Sequence, residues 1–230
     1  MRNHRVNCQL AEQHKMKLHD RYKASSFRAY NDKLPFRYDA SLAVRFFRPS
    51  TMDDFVLEAL GQDVASSAIL DVGCATGRLL ERLAEAGARS LAGSDLAPRI
   101  LDVAREKLAR LEFDCDLRPA DAEASLPWPA ETFDAVVLTG VVHHFSNPQD
   151  AFREIGRVLR PAGRLIIADA CFFTPVRQLF NLGLRVHPHE GDFRFYTGRQ
   201  LRQMLSRYGW EVSRCERINS WFFGMVAQKP

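Results

Sequence analysis

With 230 residues, 46% of them hydrophobic and 16 of them Phe, the chain is long enough for one ordinary core plus a short appendage. Its five cysteines, at positions 8, 74, 115, 171 and 215, are odd in number, widely spaced and without a Cys-x-x-Cys, which argues against a disulfide framework or a zinc site and for reduced thiols. Nowhere do about 18 apolar residues run together, and no apolar stretch follows the opening Met1-Arg2-Asn3-His4-Arg5, so neither membrane spanning nor export is expected and a cytoplasmic location is.

Charge is uneven along the chain. Residues 1–48 hold eleven Lys/Arg against four Asp/Glu, a net +7 in a chain whose total is +4, so the remainder is −3. Such a basic end attracts an acidic substrate, an anionic membrane surface or nucleic acid, and it is equally the mark of a solvated helical face. Positions 10–30 are polar and helix-prone with a thin apolar stripe. Phe27, Tyr30, Phe36, Tyr38, Phe46 and Phe47 then concentrate aromatic rings. These residues either plug the side of a domain or meet a ligand, Tyr38 first among them.

A helix over Asp53–Leu60 leads through Gly61 to a strand over Ala68–Val72. Asp71-x-Gly73-x-Ala75-x-Gly77 follows, then a 3.6-period run in which Leu79, Leu80, Leu83 and Ala84 share one face. Strand, glycine turn and helix form the first crossover of a doubly wound sheet, and ligands of such sheets bind at the carboxyl ends of the strands. A glycine turn alone is a weak signal, but Asp71 in front of it disfavours a pyrophosphate, which wants bare amides, and favours a ligand with positive charge. A second strand, Ser90–Asp95, ends in a carboxylate placed to meet a ribose diol.

Pro98 opens the next helix, with Ile100, Leu101, Ala104, Leu108 and Leu111 on one face. A third strand is expected at about Glu112–Leu117 and a fourth, uniformly apolar, at Asp134–Leu138. Asn147 as N-cap and Pro148 start a helix that runs to Leu159, Pro161 and Gly163 end it, and a fifth strand spans Arg164–Asp169. An amphipathic stretch, Thr174–His187, precedes the polar turn His187-Pro188-His189-Glu190-Gly191-Asp192. Thr197 caps a last helix, and Trp210–Glu216 with Ser220–Gln228 reads as a terminal hairpin.

Taken together, Asp71-x-Gly73-x-x-x-Gly77, Asp95 and Asp121-Ala122 resemble the motifs of class I S-adenosylmethionine-dependent methyltransferases. Phe133-Asp134-Ala135-Val136-Val137, His143-His144 and Arg157–Leu165 resemble their ubiquinone/menaquinone-biosynthesis branch. Ala75 and Ala162 stand where that branch usually has glycine. The resemblance implies a Rossmann-like α/β fold, a mostly parallel seven-stranded sheet with a C-terminal antiparallel hairpin and an N-terminal helical cap, divided into a cap over 1–50 and a methyltransferase domain over 51–230.

It further implies S-adenosyl-L-methionine as cofactor, held by Asp71, Gly73, Cys74, Ala75, Gly77, Asp95, Leu96, Asp121, Ala122 and Thr139. Asp121 would meet the adenine amino group, with Glu123 its bystander neighbour. The implied activity is methyl transfer to an oxygen or carbon, less readily a nitrogen, of a small molecule. Base-methylating relatives carry Asn/Asp-Pro-Pro-aromatic after the fourth strand where this chain has Thr139-Gly140-Val141-Val142, so nucleic acid is not the expected partner. If the acceptor must lose a proton, His144 and His187 are the candidate bases. No metal is expected, since His187, His189, Glu190 and Asp192 crowd four ligands into six residues. Two readings stay open beside this one: a member that binds cofactor or a partner without turnover, and a nicotinamide-dependent reductase, which would want Gly-x-Gly-x-x-Gly.

Overall fold

The computed structural model describes residues 23–33, 38–39, 49–186 and 192–229. Seven strands form one sheet: β1 (Ala68–Val72), β2 (Ser90–Asp95), β3 (Asp116–Pro119), β4 (Phe133–Thr139), β5 (Leu159–Ala170), β6 (Glu211–Arg217) and β7 (Phe222–Gln228), in the order β3-β2-β1-β4-β5-β7-β6. The first five are parallel to one another, and β7 runs antiparallel to both β5 and β6. Strand order reverses between β1 and β4, the point at which a doubly wound sheet opens a crevice.

Helices α1 (Ser50–Leu60), α2 (Arg78–Glu85), α3 (Pro98–Arg110), α4 (Pro148–Val158), α5 (Thr174–Val186) and α6 (Gly198–Ser206) surround the sheet. The apolar face of α2, with Leu79, Leu80 and Leu83 fully buried, packs in one core layer with Ile69, Leu101 and Val137. The other layer joins Phe152, Ile155 and Val158 of α4 to Leu70, Val136 and Ile167. Alternate residues of β1 thus feed opposite layers, as the period of two requires.

Two boundaries differ from the sequence expectation. The third strand begins at Asp116, not Glu112, because the amides of Leu111 and Phe113 both return to the Leu108 carbonyl and Glu112 turns to φ 52° to allow it, which closes α3 before the strand can start. Strand β5 begins at Leu159, opposite Phe133, while Arg164 stands opposite Ala135. Pro161, Ala162 and Gly163 therefore form a bulge inside a strand, with Ala162 at φ 60°, rather than a helix terminus.

The caps also divide. Thr197 makes the full reciprocal pair with Gln200 at the start of α6. Asn147 occupies the N-cap position of α4 but its side chain donates to the Asp150 carboxylate instead of accepting from the helix. Among the described residues no helix is long and apolar enough to cross a membrane.

Candidate active site

The turn after β1 is shaped by three residues in left-handed backbone: Gly73 (φ 74°), Ala75 (φ 48°) and Gly77 (φ 76°). Gly73 is required twice over, since a Cβ there would lie 2.4 Å from Cγ2 of Val141 in the turn after β4. The amides of Gly73 and Cys74 bond to the Ser94 carbonyl at 2.7 and 2.9 Å, so the turn is clamped onto β2. The Asp95 carboxylate completes the clamp, accepting from Ala75 N at 3.1 Å and from Ala97 N at 3.0 Å.

These strand ends wall one cleft. Of the residues singled out in the sequence, Gly73, Ala75, Asp95, Leu96, Asp121, Ala122 and His144 lie on its wall. Asp71, Cys74, Gly77 and Thr139 do not: Asp71 is fully buried beneath the turn, Cys74 joins the core layer with Leu79, Gly77 sits against Ala104 of α3, and Thr139 is buried behind Gly140. His187 lies outside the described residues, as do His189 and Glu190.

The opposite wall is the N-terminal segment. Residues 23–28 are α-helical, and Ala29–Lys33 continue as a π-helical turn. Lys23 reaches Asp121 at 2.5 Å and Glu123 at 3.4 Å, which puts an ammonium where a ligand's donor would meet Asp121. Tyr30 lies edge-on to both Tyr38 and His144. Tyr38 and Asp39 are pinned over the glycine turn, since Asp39 accepts from Thr76 Oγ1 at 2.8 Å and pairs with Lys107 at 2.5 Å. Glu123 fastens the loop before α4, accepting from Ser146 Oγ at 3.1 Å and from the amide of Asn147.

His143 and His144 belong to one turn of 3₁₀-helix, Val142–His144, after β4. His143 Nδ1 lies 2.6 Å from Asp169 Oδ1 at the end of β5, and its ring stacks on Phe195. Burial lowers the basicity of this imidazole, yet the Asp169 and Asp192 carboxylates together outweigh burial and the net shift is upward. His144 Nε2 is 3.3 Å from the Tyr30 hydroxyl and its Nδ1 is 3.3 Å from Asp192 Oδ1. Residues 192–195 are drawn over the pair because Phe193 N and Arg194 N both bond to the His143 carbonyl. Phe195 is held in turn by the side-chain amide of Asn181 from α5.

Sequence reasoning assigned no role to Lys23 or Asp169, and placed Tyr30 only among the aromatic rings that either plug the domain or meet a ligand. Lys23 and Tyr30 act across 98 and 114 residues, and only tertiary contact reveals their partners. Asp169 carried a signal that went unused: it is a third acid at the carboxyl end of a parallel strand, beside those of β1 and β2.

Residues 70–167 match the family model described as a methyltransferase domain. The demethylmenaquinone methyltransferase of Tropheryma whipplei (strain Twist) is 28% identical over 155 residues, 67% of this chain and 62% of that protein. The protein of the same name from Thermus thermophilus is 36% identical over 129 residues, 56% of this chain and 57% of its own length. The chain thus spans about three fifths of the length of these curated relatives. A S-adenosylmethionine-dependent methyltransferase from Aquifex aeolicus shares the fold at a TM-score of 0.64 and 21% identity, over 85% of this chain and 98% of that one. The matched stretch begins in β1 and ends in β5, containing the glycine turn, Asp95, Asp121 and the His pair, and over it the chain is similar to a methyltransferase domain.

Proposed function

We propose that the chain binds S-adenosylmethionine in this cleft and transfers its methyl group to an oxygen or carbon of a small, largely apolar acceptor. The observation that carries the reading is the wall itself: a left-handed glycine turn, a carboxylate at the end of β2 and another after β3 stand around one cleft that ends at His144. In this reading Gly73 to Gly77 form the floor, Asp95 takes the ribose hydroxyls and Asp121 the adenine amino group once Lys23 has yielded. Asp71, buried under the turn, and Thr139 behind it act on the cofactor through the backbone they support and, for Asp71, through charge that favours a sulfonium.

Methyl transfer from a sulfonium is an in-line displacement that asks mainly for alignment, and alignment is worth about 7 to 11 kcal/mol. The acceptor would enter between Tyr30 and the His pair, close to the ring cluster of Phe172, Phe180 and Phe195. The names of the curated relatives, demethylmenaquinone methyltransferases, are in keeping with a planar ring substrate. We assign residues 1–50 to a cap over the domain formed by 51–230, with a small molecule rather than nucleic acid as its partner, in the cytoplasm.

Isothermal calorimetry with S-adenosylmethionine tests the cofactor half, and single-turnover assays with labelled cofactor and a panel of quinols and phenols test the other. Saturable binding that falls at least about tenfold in Asp95→Ala supports the reading, since two charge-assisted hydrogen bonds are removed. Binding without transfer to any acceptor would favour a member that binds without turnover.

A further inference from the structure

His143, His144 and Asp192 are the one group of three His, Cys, Asp or Glu among the described residues whose ligand atoms lie within 4.8 Å of one another. We propose that His143 Nε2, His144 Nδ1 and Asp192 Oδ1 form a three-ligand site for a divalent transition ion, zinc in the first instance, with its remaining position open to the cleft that His144 lines.

The orientation of the two rings carries the argument. Each imidazole is held by its outer nitrogen: His143 Nδ1 faces Asp169 at 2.6 Å, and His144 Nε2 faces the Tyr30 hydroxyl at 3.3 Å. Asp169 also accepts the amides of His143 and Ala170, at 3.2 and 2.6 Å, so its carboxylate is an acceptor on both oxygens and the proton of that pair resides on His143 Nδ1. The Nε2 of His143 is thereby turned away from Asp169 and toward the Asp192 carboxylate. It stands 3.7 Å from Asp192 Oδ1, with His144 Nδ1 3.3 Å from the same oxygen.

Either a proton or an ion can lie between these atoms, and distance separates the two. A proton shared in a charge-assisted bond would draw the atoms to about 2.7 to 2.9 Å. Ligands at about 2.0 to 2.1 Å on one tetrahedral ion stand about 3.4 Å apart, a value that the 3.3 and 3.7 Å separations from Asp192 Oδ1 bracket. A carboxylate behind a ligating His is moreover the usual outer shell of a metal site, because it fixes the tautomer and raises the basicity of the ligand. His143 is buried against Phe195, so the ligand set is rigid on one side and, through His144, reaches the cleft on the other.

Two imidazoles and one carboxylate suit zinc, iron, cobalt or manganese rather than calcium or magnesium. The open position would take an acceptor oxygen, a use that rests on the methyl-transfer reading, whereas the ion site does not. A hydroxyl bound there gives its proton to solvent and attacks as an oxyanion. The new C–O bond forms as the C–S bond breaks, and the electron pair stays on sulfur as a neutral thioether.

The test uses the untagged full chain, stripped with chelator and dialysed against zinc or cobalt chloride. We expect one ion per chain by elemental analysis and the visible d–d bands of four-coordinate cobalt. Asp192→Asn and His144→Gln should each weaken zinc by about 100-fold or more, and Asp169→Asn, acting from behind His143, by about 10- to 100-fold. Substitution of His187, His189 and Glu190 together should leave uptake unchanged. Absence of stoichiometric uptake, retention of the ion by Asp192→Asn, or its loss only when residues 187–190 are changed would each overturn the site. Calorimetric binding of S-adenosylmethionine to the same variants reports separately on the fold and on the cofactor reading.

Discussion

Placing a single methyl group at Gly73 tests the geometry on which the cleft depends. In Gly73→Ala the new Cβ stands 2.4 Å from Cγ2 and 2.9 Å from Cβ of Val141, whereas carbon atoms in contact prefer about 3.5 to 4.0 Å. The turn and the β4 exit must separate by roughly an ångström, an overpacking that costs about 1 to 3 kcal/mol. The backbone adds about 1 to 2 kcal/mol, because φ 74° is left-handed and alanine resists it. Against this, alanine narrows the unfolded ensemble by about 0.4 to 1 kcal/mol. The expected loss is about 2 to 4 kcal/mol, read as a lower midpoint in urea or thermal unfolding. Val141→Ala removes the 2.4 Å contact and keeps the φ penalty, so the double variant should recover about 1 to 2 kcal/mol of coupling. A cycle with no coupling would mean that the two turns do not meet. A loss below about 0.5 kcal/mol would mean that position 73 is not left-handed.

Removal of Lys23 should separate stability from ligand access: Lys23→Ala loses a partly buried ion pair worth about 0 to 1 kcal/mol, yet it frees Asp121 and should change cofactor affinity measured by calorimetry, and an unchanged affinity would take Lys23 out of the cleft. Deletion of residues 1–48 should leave a soluble core without turnover, and a fully active truncation would remove the segment from the mechanism. Hydrogen bonds from Arg157 hold the Glu154 carboxyl below its ordinary value, with burial opposing and the Leu126 amide assisting. The stabilisation from that shift is therefore complete above the unfolded value of about 4.3 and lost as pH falls through the lower folded one. Glu154→Gln should accordingly flatten the acid limb of the unfolding curve, and a limb of unaltered slope would sink the assignment. Burial, with Asp71, Asp116 and Asp114 adding to it, pushes the Cys115 thiol up to about 12. At pH 8 it should react with a disulfide reagent about three orders of magnitude more slowly than an ordinary thiol, as peptide mapping after timed labelling would read.

How much of this was legible beforehand depends on whether a local pattern stood behind each feature. The β1 turn, β2 and the helices around them follow from glycine spacing, strand-end acids and 3.6-period faces, all contained within short windows. The start of β5 was not, because Pro161-Ala162-Gly163 carries the composition of a helix stop and only the pairing of Leu159 with Phe133 makes it a bulge. The start of β3 was hidden by a helix closure that takes its hydrogen bonds from Leu108.

Within the cleft, the strand exits were readable but the facing of their side chains was not. Asp71 and Gly73 belong to one motif, yet one lies under the turn and the other on its surface. Asp121 and Glu123 are two apart and both reach Lys23, but Glu123 alone also ties down Ser146 and Asn147. The Asp169–His143 and Asp192–His144 contacts pair residues from separate elements with no periodicity to announce them.

The position of β7 has a bearing on how the molecule comes to be made. It is the last strand in the chain but lies inside the sheet, with β5 on one side and β6 on the other. During synthesis from the N-terminus, β1 to β5 can pair before Phe222–Gln228 has emerged, and until it does the long apolar edge of β5, Leu165–Ala170, presents unsatisfied backbone groups to the surroundings. β6 cannot cover that edge ahead of time, since its own partner is β7. The nascent domain therefore carries an adhesive border for as long as its final strand remains in the ribosome, and the interval, rather than the stability of the finished sheet, sets its exposure to aggregation and its demand on chaperones.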